Sequence, residues 1–567
     1  MTLSSAQTAI ENTLPLQDEN GVWVWETHYP SNIDWRADIP EGSLLDVFES
    51  SVTKFADKPA LTFQGHRYDY AAFGDMVNRV AKGLQDMGVA KGDKVGLFVP
   101  NNPMAPVFYY GILKAGGTVV NYNPGYVERD VLHQIQDSET RFMVTLDVDV
   151  FKDKLYPLIE TSCLEKLIIC PADGKDLLSL ETAPASDETT IYWAELIDNA
   201  GDAAAVDIDP MNDIAVLQYT GGTTGVPKGA MLTHHNIYAN TYQVSLWFHN
   251  IEAGMDKQMG VLPLFHVFAM TMVMNLSIWH GMEVVLMPQF EMKEVLRIIH
   301  EEKLTHFAAV PSIYNMMGSY AGIENFDFSS LKFCLSGGAP LPGDVKRLFE
   351  EKTQAFRVAE GYGLTESSPV ATCSPVTGDM EIGSIGMPIP GTVIEIINPE
   401  DGETVLPVGE KGEICISGPQ VMKGYYNKPE ETDNVIRNGR LHTGDIGYMD
   451  EKGFVYLVDR IKDLILVSGF NVYPRHVEEA IYLHPSVAEC IVAGVPDQAR
   501  GEAVWAWVKP VEGGEIEASE LRSFLKDKLS PAELPRKIIM RDEPLPKTAV
   551  GKLSRKDLLE QEGITRV

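Results

Sequence analysis

The residues best suited to chemistry fall in one run, Gln218-Tyr219-Thr220-Gly221-Gly222-Thr223-Thr224-Gly225-Val226-Pro227-Lys228-Gly229. Glycines let backbone amides converge on phosphate oxygens, threonines add hydroxyl donors, and a lysine supplies a point charge. The groups placed to meet phosphate are Thr220, Gly221, Gly222, Thr223, Thr224, Gly225 and Lys228. A Walker A loop would need GxxxxGK followed by Ser or Thr. Here Pro227 precedes Lys228 and Gly229 follows it, so this is a phosphate loop of another kind. The bland alternative is a Gly/Thr-rich surface turn that binds nothing.

The elements that would hold this loop follow from the alternation of patterns along the chain. Phe73, Met76, Val77, Val80, Leu84 and Met87 recur at helical spacing, and residues 94–99 then read as a strand. A helix over 104–113 and a strand over 118–121 follow, which implies βαβ units around parallel sheet. The polar stretch 171–209 reads as a surface excursion. Between about 380 and 460 short strands with Gly and Pro turns take over, as in 391–397. In the last part, helices are expected over 476–483 and 519–529, the second capped by Ser519, with strands over 487–493, 503–508 and 537–541. The apolar run 267–279 contains Asn275 and is shorter than the about 20 residues a bilayer requires. It reads as a buried wall. The expected fold is α/β: a large N-terminal domain of parallel-rich sheets over 1–461, with a small β-barrel-like subdomain at about 380–461, and a small C-terminal α+β domain over 462–567.

The chain has 567 residues, 80 of them Asp or Glu and 47 Lys or Arg, for a net charge of −33. Its length exceeds what one hydrophobic core usually supports, so two or more domains are expected. With 44% hydrophobic and 22% charged residues it is neither a fibre nor a disordered chain. The charge argues against nucleic acid as a partner, and it repels ATP and coenzyme A in bulk. Any such ligand must be met by local structure. The acid is unevenly spread: residues 521–567 hold eleven basic against seven acidic side chains, residues 1–60 three against ten. Six cysteines without CxxC spacing suit free thiols in a reducing cytosol, and no basic residue precedes Arg36, so a signal peptide is not expected.

Further motifs follow the phosphate loop in order: Leu262-Pro263-Leu264-Phe265-His266, Ser336-Gly337-Gly338-Ala339-Pro340, Gly361-Tyr362-Gly363-Leu364-Thr365-Glu366, Leu441-His442-Thr443-Gly444-Asp445, Asp459-Arg460-Ile461-Lys462-Asp463, Ser468-Gly469-Phe470 and 546–552, PKTAVGK. With YTGGTTGVPKG they give the chain a resemblance to the acyl-adenylate-forming superfamily, and within it to bacterial long-chain fatty acyl-CoA synthetases, over nearly its whole length. The resemblance implies an enzyme that makes acyl-AMP from a fatty acid and MgATP and then transfers the acyl group to coenzyme A.

It also implies roles. Glu366, with Thr365, would serve the phosphates, Glu366 as the ligand of Mg2+; its plain alternative is an acid near a helix N-terminus. Gly338, Ala339, Pro340, Gly361, Tyr362 and Gly363 would form the adenine site, Tyr362 by stacking unless it is a core aromatic. Asp445 and Arg460 would hold ribose and α-phosphate, or form only a surface pair. Lys552 reads on sequence as a mobile exposed lysine. By resemblance it swings in from a mobile C-terminal lid and meets the developing charge between carboxylate and α-phosphate. Lys462 is the implied hinge, with a loop lysine as the alternative, and Ser468, Gly469 and Phe470 the implied coenzyme A face.

Acyl specificity rests on less. Residues 263–268 carry no acid to hold an amino acid's ammonium group, and the Met-rich run 267–274 suits either an adaptable apolar tunnel or ordinary core. His266 faces the acyl carboxylate or caps a helix. Arg440 stands where the long-chain family usually has Trp, and Ile461 where a basic residue is common. The alternatives are a medium-chain or aryl acid CoA ligase and a catalytically silent acyl- or nucleotide-binding protein. The resemblance favours a cytoplasmic protein that collects substrate at the inner membrane, and it is compatible with a homodimer.

Overall fold

The computed structural model describes residues 16–180, 184–220, 227–354, 357–377, 380–467, 470–497, 500–511, 513–514, 516–548 and 552–564. Two large mixed sheets form the body. The first runs Gly424–Tyr425, Lys228–Thr233, Ile214–Thr220, Thr118–Asn121, Lys94–Phe98, Phe142–Leu146, Lys166–Cys170, Thr190–Tyr192. Its last six strands are parallel, and the hairpin Ile214–Thr220/Lys228–Thr233 is antiparallel. The second runs Met387–Pro388, Val370–Cys373, Val358–Gly363, Phe333–Gly337, His306–Ala309, Lys257–Gly260, Glu283–Leu286, Pro59–Phe63, His66–Asp69, parallel at its centre and antiparallel at both ends.

Both sheets need their faces covered, because parallel strands are connected through helices and are apolar throughout. The helix Met104–Ala115 is apolar on every side, and all of it but Lys114 is buried. Tyr70–Asp86 packs along it, showing buried Phe73, Met76, Val77, Val80 and Leu84 to the core and its polar side outward. The apolar run 267–279 is the wall expected of it: a short helix Val267–Ala269, a π-helical turn Met270–Asn275 and the helix Leu276–His280. Among the described residues no helix is long and apolar enough to cross a membrane.

Beyond the second sheet lies a five-stranded antiparallel unit of Val393–Ile397, Gly412–Ser417, Arg440–Met449, Ile436–Arg437 and Val455–Arg460. The turn Ile461–Asp463 then leads into a smaller C-terminal domain. There Phe470–Val472, Ile465–Val467, Gly501–Pro510, Val487–Asp497 and Lys537–Met540 form a sheet, with separate apolar clusters on its two faces. The expected helix after residue 519 is Ala518–Leu525, and its cap is Glu517, not Ser519. A cap must stand before the first helical residue. Ser519 lies inside, and its hydroxyl turns to the Glu517 carboxylate at 3.4 Å.

The turn after Val358–Gly363 is held by the Pro369 carbonyl, which accepts from Leu364 N at 3.1 Å and from Ser367 Oγ at 2.6 Å. A Cβ at Gly363 would collide with that carbonyl, whereas one at Gly361 would meet the tip of Leu335 at 3.3 Å and the Thr372 carbonyl at an ordinary 3.9 Å. Gly363→Ala should therefore cost about 1–3 kcal/mol of overpacking, seen as a lowered thermal unfolding midpoint, and Gly361→Ala clearly less. Equal midpoints for the two variants would contradict this reading of the turn.

Candidate active site

The sequence motifs converge where the strand ends of both sheets, the five-stranded unit and the C-terminal domain meet. Thr220 closes its strand opposite Lys228 in the hairpin register, and the intervening Gly221, Gly222, Thr223, Thr224 and Gly225 lie outside the described residues. Lys228 Nζ sits 2.5 Å from Glu431 Oε2 and 5.2 Å from the Tyr425 ring centre. The Tyr425 hydroxyl donates to Glu366 Oε1 at 2.6 Å. Glu366 is the second residue of the 3-10 turn Thr365–Ser367, so Thr365 and Glu366 start a turn at the mouth of the site.

Asp445 is buried among three supports. Tyr362 OH donates to its Oδ2 at 2.7 Å, its amide donates to Thr443 Oγ1 at 3.1 Å, and Arg460 Nε stands 3.0 Å from Oδ1. Oδ1 is in ion-pair contact yet takes part in no hydrogen bond, so it keeps accepting capacity in a buried place. That suits a ribose hydroxyl. Asp445 and Arg460 are direct cross-strand neighbours, which explains how residues of two motifs meet. Burial and the Asp445 charge push the Tyr362 hydroxyl well above the usual phenol range, so it stays a donor.

The turn that presents Asp445 has its own anchor. Gly444 is left-handed at φ +71°, and its amide donates to Glu413 Oε1 at 2.9 Å. Glu413 Oε2 lies 2.8 Å from His442 Nδ1, with Cys415 Sγ 3.4 Å from the same nitrogen. These three donors are buried and close enough to hold a metal ion, but Arg437 Nη2 stands 2.7 Å from His442 Nδ1. The guanidinium supplies the local positive charge, and the cluster works as an anchor for the turn.

The loop Gly338, Ala339, Pro340 follows the strand Phe333–Gly337, beside Gly361 and Tyr362. Leu341 N donates to Glu360 Oε1 at 3.1 Å, which ties the loop to the strand carrying Tyr362. Burial pushes the Glu360 carboxyl up to about 7.

Lys552 completes the site from the C-terminal domain. Its loop is clamped by Thr548 N donating to Lys552 O at 2.7 Å and Lys552 N donating to Thr548 Oγ1 at 3.2 Å. The side chain enters a cavity lined by Leu262, Pro263, His266, Phe268, Ala269, Val310 and Gly338. Gly338 is left-handed at φ +83°, and a Cβ there would stand 3.2 Å from Lys552 Cε, so this glycine leaves the lysine its path. Burial, and then the Arg460 charge, push the Lys552 ammonium down to about 8. His266 does two jobs. Its Nδ1 accepts from Phe268 N at 3.2 Å as a helix cap, and its ring lines the cavity, where burial holds it down at about 3 and therefore neutral.

Among the described residues no carboxylate lines this cavity, and the sequence carries no acid at 263–268. Met270 and Met272 are packed in the core, while Met274 borders a second small cavity with Leu97, Val99, Ala105, Tyr109, Asn121, Leu264 and Phe265. Lys462 is exposed in the turn Ile461–Asp463. Ser468 and Gly469 lie outside the described residues, and Phe470 opens the strand Phe470–Val472.

Glu431, Tyr425 and Glu413 were not singled out from the sequence. Tyr425 reaches the site because Gly424–Tyr425 pairs with the strand that carries Lys228, nearly two hundred residues earlier. The only local signal was Pro429 followed by two acids, the start of the helix Pro429–Val435 that carries Glu431.

Comparison with known proteins identifies the family. Residues 48–426 match the family described as AMP-binding enzyme, and residues 476–552 match the AMP-binding enzyme C-terminal domain. A Bacillus subtilis (strain 168) long-chain-fatty-acid–CoA ligase is 42% identical over 95% of this chain and 98% of its own. ATP-bound MatB from Rhodopseudomonas palustris superposes with a TM-score of 0.82 at 28% identity, covering 92% of this chain and 99% of its own. An o-succinylbenzoate coenzyme A synthetase from Bacillus subtilis, in complex with ATP and magnesium ion, gives 0.77 at 28% identity over 90% and 98%. The motifs, their convergence and these matches together place the chain in one group: it belongs to the AMP-binding enzyme family.

Proposed function

We propose that this protein is an AMP-forming long-chain fatty acid–CoA ligase, with a fatty acid, ATP and coenzyme A as substrates. The observation that carries the reading is Lys552, delivered by the C-terminal domain into the cavity beside His266 and Gly338. The long-chain assignment draws on the 42% identity to a ligase of that name and on the apolar, acid-free lining.

In the first step one carboxylate oxygen attacks the α-phosphorus of ATP, the bond to the β-phosphate oxygen breaks, and pyrophosphate leaves with the bonding pair. Charge grows between carboxylate and α-phosphate, and Lys552 would offset it there by position. Asp445 and Arg460 would orient the ribose, Tyr362 and the 338–340 loop the adenine, and Lys228 the outer phosphates. Glu366 fits a magnesium site, because Tyr425 occupies Oε1 and leaves Oε2 as a hard ligand. Magnesium there would neutralise triphosphate charge. In the second step the coenzyme A sulfur attacks the acyl carbonyl, AMP departs, and the thiol proton is lost to solvent.

The second step needs Lys552 out of the way. The C-terminal domain, taken as residues 462–567, is read as a lid that turns about Lys462 and offers the Ser468-Gly469-Phe470 face instead. Its separate apolar clusters and the short turn Ile461–Asp463 favour movement as one body. A cytoplasmic enzyme that takes its acid from the inner membrane, and a homodimer, complete the proposal.

Lys552→Ala should slow acyl-AMP formation at least about a hundredfold, as removal of a preorganised charge does, yet spare thioester formation from supplied acyl-AMP. Equal loss of both half-reactions would remove Lys552 from this role. Lys462→Pro should impair the thioester step far more than pyrophosphate release. For specificity, coenzyme A-dependent AMP formation measured from acetate to stearate, with benzoate included, should be fastest with long chains; acetate or benzoate outrunning palmitate would end the long-chain assignment.

A further inference from the structure

Lys228 is nearly enclosed, its side chain 8% exposed, while its partner Glu431 keeps 38%. One face of the lysine tip meets the Tyr425 ring and another the Glu431 carboxylate. An ammonium group removed from water needs an anion, and leaving it unpaired is strongly unfavourable. The same ammonium is the group assigned above to the outer phosphates. It cannot hold Glu431 at 2.5 Å and also give its full charge to a phosphate oxygen. Glu431 itself stands on the short helix Pro429–Val435, close to solvent, so its charge loses little when the lysine departs.

We propose that Glu431 is the internal anion that Lys228 exchanges for the outer phosphates of ATP and takes back as pyrophosphate leaves. Glu431 is then a positioning residue that acts through Lys228. It holds the enclosed cation in place between turnovers, and it lowers affinity for both triphosphate and pyrophosphate, so that pyrophosphate is not retained. Tyr425 ties this exchange to the metal-binding carboxylate, since the ring under Lys228 bears the hydroxyl that donates to Glu366.

The inference rests on the reading of Lys228 as a phosphate ligand, and the test separates the two. Calorimetric titration of the full chain with MgATP and with magnesium pyrophosphate needs neither acid nor coenzyme A. Glu431→Gln keeps shape and removes the competing charge, so both ligands should bind about fivefold tighter, the scale of one partly exposed ion pair. Glu430→Gln removes the same charge from an exposed neighbour and should change affinity less than about twofold, as screened surface charges do. In a Lys228→Met background the Glu431→Gln effect should vanish. Glu431→Ala, checked for an unchanged unfolding midpoint, should repeat the tightening. Wild-type or weaker binding by both Glu431 variants would overturn the exchange, as would equal tightening without Lys228. If Lys228→Met alone leaves both affinities unchanged, the phosphate-ligand reading fails and the inference with it.

Discussion

A single ammonium group carried by the smaller domain must be desolvated in a cavity of the larger one, and much of the structure serves that requirement. Three features suit Lys552 to its place: Gly338 has no side chain to crowd it, its backbone is tied to Thr548, and His266 beside it is neutral. A protonated imidazole there would set two cations against each other. Apolar walls at Leu262, Phe268 and Val310 strengthen any charge the lysine meets and also push its proton off more easily. The site thus holds its cation close to the pH where it would be lost. An arriving anion restores it.

The same logic resolves the bulk charge of −33. Net charge acts at long range and is screened, whereas ligand phosphates are met within a few ångströms. Around the site each acid has a local cation or donor: Glu431 has Lys228, Asp445 has Arg460 and Tyr362, Glu366 has Tyr425. Acidity of the whole chain bears on solubility and says little about which ligands bind.

How much of this was legible in the sequence depends on distance along the chain. Helices and strands such as Tyr70–Asp86, Lys94–Phe98 and Thr118–Asn121 followed from periodicity, because burial of one face or both leaves a local pattern. Asp445, Arg460 and Lys552 were legible through their motifs and the family resemblance, since their neighbours along the chain carry the signal. Glu431, Tyr425 and Glu413 were not, for Tyr425 and Glu413 come to the site through strand pairing and Glu431 on the helix that follows Tyr425. For His266 the sequence left open a helix cap or a side chain facing the acyl carboxylate; the ring caps the helix Val267–Ala269 and also lines the cavity that Lys552 enters, because one ring has two ends. The Met-rich run divides in a similar way. Met270, Met272 and Met274 are all buried in the core, and Met274 also edges a cavity, a difference that composition does not show.

The central claim is that Lys552, as a cation, serves acyl-AMP formation and leaves before thioester formation. The pH dependence of the two half-reactions tests it most directly in the unmodified protein. Since the free site holds the Lys552 ammonium at about 8, kcat/KM for MgATP in pyrophosphate release should be level below that pH and fall above it. Thioester formation from supplied acyl-AMP should hold or rise over the same range, because the attacking coenzyme A thiol ionises there. Pyrophosphate release that stays level to about pH 9.5, or two half-reactions that fall together near pH 8, would contradict the account.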